Sequence, residues 1–500
     1  IPLRLVGSEM CIRDRITVLT ACLQSEDAYK KIVWSLVITQ IAMTFYCLLQ
    51  VLGHDPIKWS ASSTFGTLGN VNFLSGFMGI AVVNSLALAF KAPMGNTKKF
   101  LLICMSLADI WIVSTTDSIQ GLVALSIGIL VLLGITVRRL GKFVWSTYVV
   151  GTLMVLAAIV AALLNQGPLK EYIYQPSILF RADYMHAGLA MMMHHPWTGV
   201  GIDSYDDWYR AERGIVSAFR TGLNRTSNTA HNIAIDLGSG GGFPLLLLYL
   251  FILFLIGKAI FRGLRNDLDK NPFFIAMTCS WVAYEVQAAV SINQVGLGIW
   301  GWILGGSIFG FSKLRSLSES AGVQQKSNPA KSSPTMKKKK YSLSVPNTPP
   351  AHSVLVSAFM GLVGLLITLP PFKVDADYRN AYNKGSLNLM MKASSDFAAS
   401  SFLISQVNNA ALNNGFKAEA LKINNELISR FPRNIYGWQS RLHLSDLTIQ
   451  DRQIAILKIK ELDPYGSVCL NSNPQSDIRR LIEDLPPNKQ FELVEGWSSQ

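Results

Sequence analysis

A helix needs about 20 apolar residues to cross roughly 30 Å of hydrocarbon, and this chain offers runs of that kind nine times over. They fall at Ile32 to Leu52, Val71 to Phe90, Phe100 to Thr115, Gly121 to Val137, Phe143 to Leu164, Phe243 to Phe261, Phe273 to Val290, Val295 to Phe311 and Ser353 to Leu369. The connections between them alternate in charge. Lys30-Lys31, Lys91 with Lys98-Lys99, Arg138-Arg139 with Lys142, Lys258 to Lys270, and Lys313 with Arg315 fall on one side if every run crosses. The connections around Trp59, Asp117 and Asn293 are poor in basic residues. This is the inside-positive pattern of a multi-pass membrane protein. The expected fold is therefore all-α, a polytopic transmembrane bundle of about nine spans.

Composition agrees, with half the residues apolar and 15% charged. A net charge of +13 suggests nucleic acid in a soluble chain, but here Lys and Arg gather at span ends and in one linker, so topology explains them and no nucleic-acid partner is expected. The six cysteines are scattered without a CxxC pair, which supports neither a disulfide framework nor a zinc site. Residues 1–15, IPLRLVGSEMCIRDR, show no structural period and read as an assembly artefact, with spans expected to be missing before them.

The bundle is thus expected to occupy residues 16–311. Within it lies an external loop, residues 165–242, on the periplasmic side of a bacterial inner membrane. Residues 312–351, rich in Ser, Pro and Lys and including Lys337 to Lys340, read as a disordered basic cytoplasmic linker. A last span follows at 352–370, ended by Pro370-Pro371, and then an external tail, residues 371–500. In that tail Ala418 to Phe431-Pro432 recurs loosely as Ile454 to Asp463-Pro464, a spacing close to the tetratricopeptide period of about 34. Helical hairpins that bind a protein partner, dispensable for chemistry, are expected there.

Polar residues inside such a chain mark its work. Asp109 and Glu285 lie nearest mid-membrane; they either bond to neighbours within the bundle or mark an ion path. Gly238 to Gly242 lacks the Lys-Ser/Thr of a phosphate loop, and Gly199-Val200-Gly201 lacks the third glycine of a dinucleotide fingerprint, so no nucleotide or other cofactor is indicated. The external loop carries Arg181, Arg210, Arg213, Arg220 and Arg225, and planar guanidinium groups suit pyrophosphate. It also carries His231, whose neutral imidazole can take a proton from a sugar hydroxyl or, alternatively, only start the helix that follows.

Three motifs carry a resemblance: Gly66-Thr67-Leu68-Gly69-Asn70-Val71-Asn72-Phe73 before a span, Arg181 followed by His195-Pro196-Trp197-Thr198-Gly199-Val200-Gly201, and Ala230-His231-Asn232. In their order, spacing and topology the chain resembles the O-antigen ligase and O-antigen polymerase superfamily of bacterial membrane glycosyltransferases, from about Ile32 to Phe311. Members of that group also carry helical-repeat tails. The resemblance implies a metal-independent enzyme that takes a glycan from undecaprenyl pyrophosphate and joins it to a lipid, glycan or protein acceptor. It implies His231 as the base, Arg181 as a pyrophosphate ligand, and Asn232, beside His231 in the HN pair, as a substrate-binding residue; Arg210, Arg213 and Arg225 are further ligands by location. One departure stands out: many members carry Ser-Arg-Gly before a span where this chain has Asp117-Ser118-Ile119-Gln120-Gly121. Ligation to lipopolysaccharide core, polymerisation and protein O-glycosylation remain open, and a transporter using Asp109 and Glu285 is the alternative from another class.

Overall fold

The computed structural model describes residues 17, 20–23, 25–57, 63–116, 118–173, 176–266, 268–327, 351–444 and 447–467. Residues 1–16 and the tetralysine lie outside them. Among the described residues all regular structure is helical. The first block holds α1 (Glu26–Val51), α2 (Val71–Lys91), α3 (Asn96–Ser114), α4 (Ile119–Val137) and α5 (Lys142–Leu163). The segment between the two blocks contributes α6 (Lys170–Ile173), α7 (Pro176–His194), α8 (Tyr205–Glu212) and α9 (Ile215–Thr221). The second block follows as α10 (Ile233–Arg265), α11 (Pro272–Ala288) and α12 (Val295–Ser327). The carboxy-terminal part is α13 (Ala351–Asn383), α14 (Leu387–Ser394), α15 (Ser401–Asn413), α16 (Lys417–Arg430), α17 (Ile435–Arg441) and α18 (Ile449–Leu462).

Six of these are long and apolar enough to cross a membrane: α1, α2, α4, α5, α10 and the first 22 residues of α12. Helices also occupy the other three expected positions. There α3 carries Lys98, Lys99 and Asp109, α11 is only 17 residues long, and α13 covers the ninth. The chain is a polytopic helical bundle.

Small residues decide its centre. α2 is buried over most of its length because α4 crosses it at backbone contact: a Cβ on Gly121 would stand 2.0 Å from the Ser75 carbonyl oxygen, and one on Gly79 would stand 2.5 Å from that of Gly121. Ser75 and Gly79 form a small-xxx-small stripe, which lets two helix backbones approach where lipid supplies no hydrophobic drive. The Gly121 amide also donates to Ser75 Oγ at 3.0 Å. Gly121→Ala is therefore expected to destabilise the bundle by about 1–3 kcal/mol, the usual cost of overpacking. Thermal unfolding in detergent checks this; an unchanged midpoint contradicts the close crossing.

The mid-membrane carboxylates have partners. Asp109 is fully buried and accepts from Gln40 Nε2 and Thr44 Oγ1, both at 2.6 Å, while Ser85 donates to the Gln40 carbonyl at 2.6 Å. Glu285 accepts from Tyr249 at 3.2 Å. Hydrogen bonding of this kind is what makes a buried carboxyl tolerable.

Contacts sort the two ends of the bundle. Arg139 pairs with Asp269 at 2.9 Å and Arg315 with Glu26 at 2.9 Å, which gathers basic connections at one end. The segment between the two blocks meets the other end.

Two boundaries differ from the sequence expectation. α12 continues to Ser327, so the first part of the linker is helical; residues 328–350 lie outside the described residues. α13 runs unbroken through Pro370-Pro371 to Asn383. Proline removes two amide donors there, yet its fixed φ fits a helix, and the continuation is held from beyond: Val374 and Ala381 are buried against Met390, Leu403, Ile404 and Val407 of the tail. The tail's core therefore begins inside the last long helix.

In the tail, α15 and α16 are joined by a short turn, as are α16 and α17, the connection of antiparallel neighbours. α16 and α18 are each 14 residues long and end on a residue outside the helical region before a proline, Phe431 in one and Asp463 in the other.

Candidate active site

The segment between the two blocks has its own small core of Ala187, Met191, Tyr205, Tyr209 and Ala230. Backbone hydrogen bonds fasten part of it to the membrane block. α10 is broken at Gly242, whose φ of 69° and ψ of −170° leave the helical region, and the run from Pro196 to Gly201 lies against the break. Val200 N donates to Ser239 O at 2.8 Å, Gly201 N to Gly240 O at 3.1 Å, and Phe243 N to Pro196 O at 2.8 Å. A Cβ at Gly199 would stand 2.4 Å from the Gly240 carbonyl carbon, and one at Gly242 would stand 2.5 Å from Pro196 O. The two glycine motifs, 40 residues apart in sequence, are the two sides of one junction.

His231 sits where this junction meets the start of α10. Its backbone is left-handed, φ 55°, a conformation that few non-glycine residues adopt. It precedes the cap and does not make it: Asn232 Oδ1 accepts from Ile235 N at 3.0 Å, and Asn232 Nδ2 donates to Ala289 O at 2.9 Å. Asn232 thus uses its amide oxygen to cap α10 and its amide nitrogen to reach the end of α11.

The His231 ring is half-buried and lies 5.0 Å from the Tyr184 ring. Nδ1 is 3.3 Å from Thr229 O and 3.2 Å from Thr229 Oγ1, which itself accepts from the His231 amide at 3.2 Å. A proton on Nδ1 donated to the carbonyl leaves the Nε2 lone pair free. Burial lowers the imidazole pKa below its ordinary 6.5; the Thr229 carbonyl opposes the shift, and the Arg181 charge adds to it.

Arg181, on α7, is held by a residue from the other half of the bundle. With its amide oxygen turned to the guanidinium, Gln120 accepts from both terminal nitrogens at 2.5 and 2.9 Å. Next to Gln120, Ser118 donates to Asn72 Oδ1 at 2.8 Å and lies 2.7 Å from Ser75 Oγ. Asn70 caps α2. The motif before α2, the turn before α4, Arg181 and His231 therefore converge at one end of the bundle.

The remaining arginines separate. Arg225 is exposed, and its charge acts on the Tyr184 phenol, so it borders the same place. Arg220 pairs with Asp183 at 3.1 Å. Arg210 and Arg213 do not reach the site. Both are buried and bound to Asp463 of the tail, at 3.1 and 2.9 Å. Their other donors hold the turn before His231: Arg210 donates to Asn224 O, and Arg213 to Gly222 O, Leu223 O and Arg225 O at 3.2, 2.5 and 3.1 Å. Their expected place among the substrate ligands is not where the structure puts them: their terminal nitrogens face Asp463 and the carbonyls of the 222–225 turn and do not face His231 and Arg181.

Sequence reasoning missed Gln120, Thr229 and Tyr184. The signal for Gln120 was present, since the family's arginine is missing where an amide now faces Arg181. Thr229 stands two residues before His231, within reach of its Nδ1; Tyr184 lies one helical turn beyond Arg181. Among the described residues no group of three His, Cys, Asp or Glu side chains is placed to hold a metal.

Residues 100–250 match the model of the O-antigen ligase family. No curated protein matches the chain. The matched stretch runs from α3 to the first part of α10 and contains Gln120, Arg181, the loop run and His231, and the match supports membrane glycosyl transfer in general.

Proposed function

We propose that the chain is an inner-membrane glycosyltransferase that moves a glycan from undecaprenyl pyrophosphate to an acceptor hydroxyl on the periplasmic face. The observation that carries this reading is the pairing of a half-buried His231, with Nε2 left free, and a guanidinium, Arg181, close enough to act on its charge. The acceptor oxygen attacks the anomeric carbon and forms the new glycosidic bond as the bond from that carbon to the pyrophosphate oxygen breaks. The leaving pyrophosphate takes the electron pair. The acceptor proton passes to His231 Nε2, and Arg181, with Arg225 at the rim, meets the charge that develops on the leaving group. No step in this scheme needs a metal or a nucleotide.

Holding Arg181 by a neutral amide suits this role. Gln120 fixes the direction of the guanidinium without cancelling its charge, which a carboxylate at the same position does not do. The tail reads as a degenerate tetratricopeptide-like solenoid on the same face. Such a surface fits a protein acceptor or a partner in a polymerase complex.

Incubation of the purified protein in lipid nanodiscs with lipid-linked oligosaccharide and lipid, glycan or protein acceptors tests this reading. Transfer to one of them is expected, and the product identifies the acceptor. Intact lipid-linked donor with every acceptor rejects the reading.

The protonation state of His231 adds a prediction. A base works only when neutral, and a pKa lowered below 6.5 means the neutral form dominates at pH 7. The acid limb of kcat/KM, which reports the free enzyme, is expected to bend below pH 6.5. A limb bending above that value contradicts the burial of the ring.

A further inference from the structure

The contact between tail and external loop is built like a working joint. Asp463, at the end of α18, has no solvent exposure and stands between Arg210 and Arg213, some 250 residues earlier in the chain. Independent contacts surround it. Arg210 lies over the Tyr436 ring at 5.3 Å, Arg433 lies over the Trp208 ring at 3.4 Å, and Ser467 donates to Asn224 at 2.9 Å. An aspartate has replaced the phenylalanine that ends the matching helix, so this one helix end bears a charge in a buried place. The desolvation of three charged groups is recovered only while all three stay together.

What the joint holds is the site. Arg213 grips the carbonyls of Gly222, Leu223 and Arg225, the turn that carries Arg225 and leads to His231. It also lies over the Tyr209 ring at 5.9 Å. Tyr209 meets Tyr184 edge-on at 5.6 Å, and Tyr184 lies 5.0 Å from His231. Tyr205 from the same short helix donates to the Tyr184 carbonyl. A continuous set of packed and bonded groups therefore runs from Asp463 to the imidazole.

We propose that Asp463 is a positioning residue, through which the tail locks Arg210, Arg213 and the 222–225 turn and so fixes Tyr184 and His231 in their working arrangement. The inference rests on the glycosyl-transfer reading only for its effect on turnover.

The test uses the full chain in nanodiscs and two readouts. One is carbethoxylation of His231 by diethyl pyrocarbonate, resolved by peptide mass spectrometry; the other is glycan transfer. Asp463→Asn keeps the shape and removes the charge. It is expected to raise the His231 modification rate at least about threefold, as local opening exposes the ring, and to lower turnover by about tenfold to a hundredfold, the usual result of a small displacement. To separate loss of docking from loss of folding, Asn224→Cys and Ser467→Cys are added to Asp463→Asn and oxidised to a disulfide. The cross-link is expected to return both readouts close to wild type. Unchanged His231 reactivity in Asp463→Asn overturns the proposal, and so does a formed cross-link that restores neither readout. A wild-type protein that transfers no glycan removes the enzymatic reading instead, while the His231 modification rates still decide whether Asp463 positions the ring.

Discussion

His231→Asn is expected to lower turnover by about 10² to 10⁴, the contribution typical of a general base, while the protein inserts and binds donor as before. Asparagine is the informative replacement because it tolerates the left-handed backbone that His231 adopts. Alanine at the same position removes the base but also strains the chain, so its effect mixes two causes. Asn232 already caps α10, and an asparagine at 231 leaves that cap intact. A stable His231→Asn protein that keeps most of its turnover ends the case for His231 as the base. Single-turnover measurements with lipid-linked donor distinguish a slowed chemical step from weakened binding.

Arg181→Ala is expected to reduce turnover by about 10² to 10³, the range seen when one donor to a developing negative charge is removed, and to weaken donor binding as well. Arg181→Lys keeps the charge and loses the planar fork that Gln120 now orients. Its loss should fall between wild type and alanine in both quantities. Gln120→Glu complements the pair, because a carboxylate in place of the amide neutralises the guanidinium and weakens donor binding with Arg181 present. Donor titration and turnover, measured together on the three variants, check the scheme. An Arg181→Ala enzyme with unaltered donor affinity refutes the pyrophosphate assignment.

Much of the architecture is written in local pattern. Apolar runs and alternating charge place helices at all nine expected positions, because both signals depend only on neighbouring residues and on the membrane. His231 and Arg181 were legible as polar residues in an apolar chain. What stayed hidden depends on partners far away in sequence. An arginine carries the same charge whether it faces substrate or Asp463, so Arg210, Arg213 and Arg225 look alike until the tail is folded onto the loop. Pro370-Pro371 reads as a helix end because local propensity says so; the packing of Val374 and Ala381 overrides it. Gln120 reads as a lost arginine, and only its contact with Arg181 shows what the amide does.

The unbroken run of α13 through Pro370-Pro371 into the core of the tail has a consequence for how sequences of this kind can change in length. A helix turns about 100° and rises about 1.5 Å per residue. Inserting one residue near Phe372 would swing the whole tail around the axis of its own anchor and carry Asp463 away from the arginines it must meet. Flexible linkers absorb such changes silently, whereas a rigid shaft transmits them. Insertions and deletions between Pro371 and α14 should therefore be tolerated only in multiples that restore the helical phase, about seven residues for two turns. The tail is thus timed to the loop by the angular pitch of a single helix, like a key cut to one rotation of its lock.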